Sequence, residues 1–213
     1  MEQNAIKLVG DVVRVAGTTV TILTKQVRPG GVYEDEHVVE IPDVTLTQDL
    51  KPKQKIGLMG YLARGDSAFS TRIIADTATV KKLAKSAGYE NMAKLVGKIP
   101  MSASMLPAAE GKTGLANLVI EVAGQMFNGV AFRQTAIMLS RAWHKGAIGQ
   151  LMGRLRRREF IDRNGDIQTS IEVVAEDSAE TRILKRAEEN DPFGDFGKLG
   201  VDAQPEPATG PAI

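Results

Sequence analysis

The chain contains no cysteine, which excludes disulfides, thiolate zinc sites, thiol nucleophiles and iron–sulfur clusters. Aromatic residues are scarce, at 5%. There are two histidines, His37 and His144, far apart in sequence and without a metal-type partner spacing, so each reads as a surface or loop residue. No apolar run reaches the roughly 18 residues of a membrane span, since the best stretch, 115–123, is interrupted by Asn117 and Glu121. The opening MEQNAIKL has no basic segment followed by an apolar one, so no secretory signal is expected. Together these absences predict a cytoplasmic protein with no membrane partner. What remains is ordinary globular composition, 43% hydrophobic and 25% charged over 213 residues, enough for one large domain or two small ones.

The formal net charge of +1 conceals an asymmetry. Residues 186–213 carry six acids (Glu188, Glu189, Asp191, Asp195, Asp202, Glu206) against Arg186 and Lys198, a net −4 that leaves +5 on the rest. A basic body suits a polyanion, and an acidic tail containing Pro and Gly suits a different partner.

Residues 1–80 read as a β unit. Ile6, Leu8, Val12 and Val15 mark a first strand, a turn follows at Gly17, and strands are expected over 37–46, 55–63 and 68–80. Five short strands without a long helix predict a small barrel. Residues 81–98 (KKLAKSAGYENMAKLVGK) carry helix formers and end on Gly97 and Pro100, so 81–114 is expected to be a helical connector and linker. Gly111-Lys112-Thr113 imitates the end of a phosphate-binding loop, but Leu106 stands where the loop's first glycine belongs. Strand patterning resumes over 115–125, 129–139, 147–159 and 166–177, making 115–185 a second β unit, with a hairpin turn at Asp162–Gly165 and a short helix over 178–189. The tail 186–213 has the composition of a disordered segment. The two units resemble each other: Met59–Arg64 can be laid on Met152–Arg157, and Ile73–Asp76 on Val173–Glu176. The expected fold is therefore mostly β, with one barrel or two in tandem, a helical connector and an acidic tail.

The stretch 145–177 is the most informative. Alternate side chains of a strand share a face, so Met152, Arg154, Arg156, Arg158 and Phe160 point one way. Arginines at a two-residue period stand about 7 Å apart, near the phosphate spacing of an extended single strand, and Phe160 offers a flat face to a base. Arg163 and Lys145 add charge at either end. This pattern fits sequence-tolerant single-strand binding, and it equally fits an edge strand charged against aggregation. Tyr61 occupies the place of Arg154 in the first unit and is either a stacking platform or a packing residue. Trp143 stands among Arg141, His144 and Lys145 and either stacks or anchors its loop. Phe127 and Phe132 read as core.

Lys145-Gly146, Gly153-Arg154-Leu155, the basic run Arg156–Arg158, Phe160, Asp162, Gly165 and Thr169–Val174 resemble the fourth and fifth strands of the bacterial and phage single-stranded DNA-binding proteins. That resemblance implies an oligonucleotide-binding (OB) barrel, a stacking role for Phe160 where the family usually has Trp, and assembly into a homo-oligomer. Asp191-Pro192-Phe193 and Asp195-Phe196 are similar to the family's acidic Pro-Phe tail, which recruits replication and repair proteins, although here sixteen residues follow Gly197. This departure, with a second barrel where the family chain normally has one, points to a phage or plasmid variant, and the resemblance implies a bacterial or nucleoid-associated setting. The resemblance implies protection of single-stranded DNA in replication and recombination. A barrel that serves only as an interaction module, or one that binds RNA, is the alternative. No cofactor, metal site or catalytic constellation is expected: Asp162, Asn164 and Asp166 begin like a calcium loop, but Ile167 and Val173 stand where its Gly and Glu belong.

Overall fold

The computed structural model describes residues 2–28, 31–65, 70–106, 114–161, 165, 167–177 and 179–186. In it thirteen strands form one hydrogen-bonded sheet that winds through two copies of a five-stranded unit. The first copy comprises β1 (Gln3–Ala16), β2 (Thr19–Arg28), β3 (Gly31–Glu40), helix α1 (Val44–Gln48), β4 (Lys55–Arg64), β5 (Thr71–Ala75) and the short β6 (Lys81–Lys82). Pairings run β1–β2–β3, then parallel from β3 to β5, and back through β4 to β1, completing a circuit. The second copy repeats it with β7 (Glu90–Lys98), β9 (Leu115–Val122), β10 (Gln125–Phe132), helix α2 (Arg133–Ala142), β11 (Ile148–Ile161), β12 (Ile167–Ala175) and β13 (Arg182–Lys185); β8 (Ser104–Leu106) lies against β9. The circuits close unevenly: two residue pairs join β3 to β5, and only Lys98 and Glu121 join β7 to β9.

Strand alternation explains the interior. Ala116, Leu118, Ile120 and Val122 of β9 turn inward at every second position, as do Ile6 and Leu8 of β1, and they join a single core running through both copies.

The internal repeat is written in matching hydrogen bonds. The Asn4 side chain donates to the Leu62 carbonyl at 2.7 Å and accepts from its N–H at 2.9 Å; Asn91 does the same to Leu155, at 2.9 and 2.8 Å. Thr79 clasps the backbone of Met59 as Thr181 clasps that of Met152. A Cβ on Gly60 would stand 2.1 Å from the Ile74 carbonyl oxygen, and one on Gly153 1.9 Å from that of Val174, so both crossings need glycine. Ile6 pairs with Gly60 and Ala93 with Gly153, and Ile6 and Ala93 face each other where β1 meets β7 antiparallel. An approximate two-fold axis therefore passes through that pair.

Several expectations need correction. Residues 81–98 are not a helix: 90–98 form β7, the first strand of the second copy, because Ala93 and Leu95 bury between β1 and β11. The second copy thus has its own first strand, upstream of residue 115. The strand expected over 129–139 ends at Phe132 and becomes α2, whose buried Ala136 and Leu139, with Trp143 beyond, follow helical spacing. The segment expected as strand over 37–46 breaks at Pro42, and Asp43 caps α1 by accepting the Thr45 N–H at 2.9 Å. Residues 182–185, within the expected last helix, pair with β11 as β13. Asp162–Asn164 with Arg163, Gly111–Thr113 and the tail including Asp191, Pro192, Phe193, Asp195 and Phe196 lie outside the described residues. No helix among the described residues is long and apolar enough to cross a membrane.

Candidate nucleic-acid interface

The expected basic strand exists as β11, the longest of the second copy, paired along its outer half with β12 from Arg154–Val174 to Ile161–Ile167. Leu151 and Leu155 anchor its inner face in the core, which turns Arg154, Arg156 and Arg158 outward.

The arginines are not equivalent. Arg154 is 14% exposed and donates to Asp35 of β3 at 2.9 Å and to Glu176 at 2.8 Å. Burial lowers its pKa from the ordinary arginine value, and the Asp35 carboxylate opposes that shift. Asp35 belongs to the first copy, so this side chain is a clamp between copies, reinforced by Arg28 on the same Glu176. The sequence reading takes Arg154 as a phosphate contact; in the fold two carboxylates hold its guanidinium. Arg156 pairs with the nearly buried Glu172 and lies 5.2 Å from the centre of the half-buried Phe132 ring. Arg158 is exposed and makes no ion pair with a described residue, and Phe160, half-buried, follows on the same face. On the opposite face, Arg157 reaches the first copy, where it lines a cavity of about 300 Å³ with Arg72, Glu36, Val38 and His37, while pairing with Glu159 at 2.9 Å.

Trp143, expected either to stack or to anchor its loop, lies inside the fold. It is fully buried, packs beside Gly149 and Ile99, and its indole N–H donates to the Val119 carbonyl at 3.2 Å. It anchors the end of α2. Tyr61 is 46% exposed on β4, but β1 and β7 lie between it and β11, about 14 Å by strand spacing. Its neighbours on that outer face are the exposed Met59 and, on β7, Met92. Lys145 is exposed in the turn after α2. Phe127 is core, as expected.

His37, read as a surface or loop residue, is instead 1% exposed on β3 at the junction of the copies. Asn91 is held with its amide oxygen on the Leu155 N–H, so its NH₂ points at His37 Nε2, 3.1 Å away, and that nitrogen accepts. The ring proton therefore sits on Nδ1, which has no hydrogen-bond partner among the described residues. Burial, aided by the Arg154 charge, lowers the His37 pKa to about 4 against the pull of Asp35. His144 is exposed, its Nε2 2.7 Å from the Arg141 carbonyl. The described residues contain no group of three His, Asp or Glu side chains able to hold a metal ion. His37's role was not legible in advance, because Asn91 and the Arg154 charge lie 54 or more positions away and Thr24 meets it only through the β2–β3 register.

A five-stranded circuit ordered 1-2-3-5-4, with a helix between the third and fourth strands, is an OB-type barrel, present here twice in one chain. No protein-family model and no curated protein sequence matches the chain. Among solved structures, the single-stranded DNA-binding protein from Thermus aquaticus superposes with a TM-score of 0.64 at 17% identity, covering 87% of this chain and 94% of that one. A deletion variant of the Thermus protein gives 0.64 at 18% identity, covering 90% and 98%. The chain shares that fold along nearly its whole described length.

Proposed function

We propose that this protein binds single-stranded DNA without sequence preference and catalyses no reaction. The observation that carries the reading is the outer end of β11, where the exposed Arg158, the half-exposed Arg156 and Phe160 follow one another on one face of an OB-type barrel. Phosphates bind such cations with release of counterions, and bases stack on an aromatic at about 1–3 kcal/mol each. The Thermus protein of the same fold is a single-stranded DNA-binding protein, which supports the reading. Lys145, Arg163 and the exposed Tyr61 are candidates for extending the track. Protection of DNA in replication or recombination, recruitment of partners by Asp191–Phe196, and a homo-oligomer are the finer parts of the proposal.

A second reading, a protein-interaction module, is favoured by the pairing of Arg154 and Arg156 with carboxylates and by the exposed Met59, Tyr61 and Met92. Anisotropy of a labelled single strand, its duplex and the RNA of the same sequence, at two salt concentrations, separates these readings. Tight single-strand DNA binding that weakens with salt is expected, and it should be lost in Arg156→Gln/Arg158→Gln/Phe160→Ala. Absence of binding to every nucleic acid at low salt selects the interaction module, and equal or tighter RNA binding selects the RNA reading.

A further inference from the structure

Far from the arginine strand in sequence, the first copy has a hollow of about 460 Å³ lined by Lys51, Lys53, Lys55, Lys82 and Lys85, with Asp49 as the one acid. Its walls are fixed by backbone. The Lys53 N–H donates to Val12 at 2.7 Å, the Gln54 N–H to Lys51 at 3.1 Å, and the Leu83 N–H to Lys55 at 2.9 Å. Lys53 is held at φ 67°, a left-handed conformation uncommon for a residue with a Cβ. Lys55 is committed inward, donating to the Ala87 carbonyl at 2.8 Å and lying 3.6 Å from the centre of the Tyr89 ring. The other four lysines are exposed and make no ion pair with a described residue. Four exposed ammonium groups, two on the turn and two on and after β6, outnumber the single acid Asp49 and repel one another, so the arrangement favours a bound polyanion.

The second copy repeats the feature. β6 pairs with β4 at Ile56–Lys82, and β13 pairs with β11 at Gly149–Ile183, the same place in each copy. There a hollow of about 800 Å³ is lined by Arg141, His144 and Arg186 with Ile183 and Leu184. Cations thus recur at one position of the fold although the residues around them differ.

We infer that the Lys51/Lys53/Lys82/Lys85 hollow holds the phosphate backbone of a single strand already engaged on β11, giving long strands a second contact region. This rests on the single-strand DNA reading above. The occupant is phosphate rather than the chain's acidic tail because the first-copy hollow offers only Pro52 and Leu83 as apolar lining, with no seat for Phe193 and Phe196.

The test uses the full chain and its Lys51→Gln/Lys53→Gln/Lys82→Gln/Lys85→Gln variant, with single strands of about 8 and about 40 nucleotides, the shorter lying within the length one barrel holds. The expected result is unchanged short-strand affinity, and for the long strand a salt slope smaller by about 3, from about 0.7 per lost phosphate contact. An unchanged long-strand slope overturns the inference and leaves the function standing, whereas a wild type that binds neither strand overturns both. Equal weakening for both strands also overturns it, since the lysines then act on the β11 site. Repeating the comparison in a chain ending at Arg186 completes the test: if the variant's effect vanishes there, the hollow held the tail and the DNA assignment is wrong.

Discussion

The two copies agree where strands cross and disagree where they extend. Asn4 and Asn91, Thr79 and Thr181, and Gly60 and Gly153 do identical work on identical backbone atoms. The hairpins have diverged in opposite directions. The first copy lengthens β2–β3 to ten residues a side while its β5 has five; the second keeps β9–β10 at eight a side and lengthens β11 to fourteen. Each long arm lies against the other copy, Asp35 and Arg28 on Arg154 and Glu176, and Arg157 beside Glu36 and Val38. Two identical chains related by symmetry must use the same arm twice. A covalent duplication is free of that constraint, and here it joins two different arms through ion pairs at the junction.

The heaviest single blow to the comparison falls on the helix. Trp143 stands five residues before β11, and Leu50 stands five before β4, both buried. Trp143→Ala should cost about 4 kcal/mol and Leu50→Ala about 3, read from urea unfolding, because the ring leaves the larger cavity. Equal costs would mean that α2, twice as long as α1, adds nothing to the second copy.

The junction gives the next effect. His37 is neutral in the folded protein down to about pH 4, while the unfolded chain protonates near 6.5. Unfolding then takes up a proton below 6.5, so stability is complete above that pH and falls by about 3 kcal/mol as the pH drops to 4. The His37→Gln variant should lack this component of the pH dependence, and parallel stability curves for the two proteins would show that the ring does not titrate in that window.

How much of this could be read in advance depends on range. The repeat was visible in Met59–Arg64 against Met152–Arg157 because glycine crossings leave a local signature. β7 was hidden, since Lys, Ala and Leu favour helix and only pairing with β1 and β11 makes 90–98 a strand. α2 was hidden for the converse reason, being continuous with the apolar end of β10. The spacing of Arg154, Arg156 and Arg158 was legible, but their unequal fates were not. Asp35, which takes Arg154, is 119 positions away, and Glu172 and Glu176 reach the row only through β12's register.

Asn91 and Asn4 sharpen the comparison at a smaller scale. Each alanine variant strands a backbone N–H and C=O of the partner leucine, worth about 2 kcal/mol. Asn91 also donates to His37 across the junction, so Asn91→Ala should cost about 1 kcal/mol more than Asn4→Ala in the same denaturation assay. Identical losses would show that the histidine contributes nothing to holding the copies together.

The smallest effect on stability separates clamp from contact along one strand. Arg154→Ala leaves Asp35 without its partner in a site where both are largely buried and should cost about 2 kcal/mol. Arg158→Ala, exposed, should change stability by no more than about 0.5 kcal/mol. Binding should show the opposite order at its most direct: Arg158→Ala lowers the salt slope for single-stranded DNA by about 0.7, the share of one phosphate contact. The Arg154 variant, measured where it remains folded, should leave that slope unchanged, because Asp35 and Glu176 already neutralise the charge of its guanidinium. A slope that falls equally in both would place the clamp on the DNA path and make the junction itself part of the binding face.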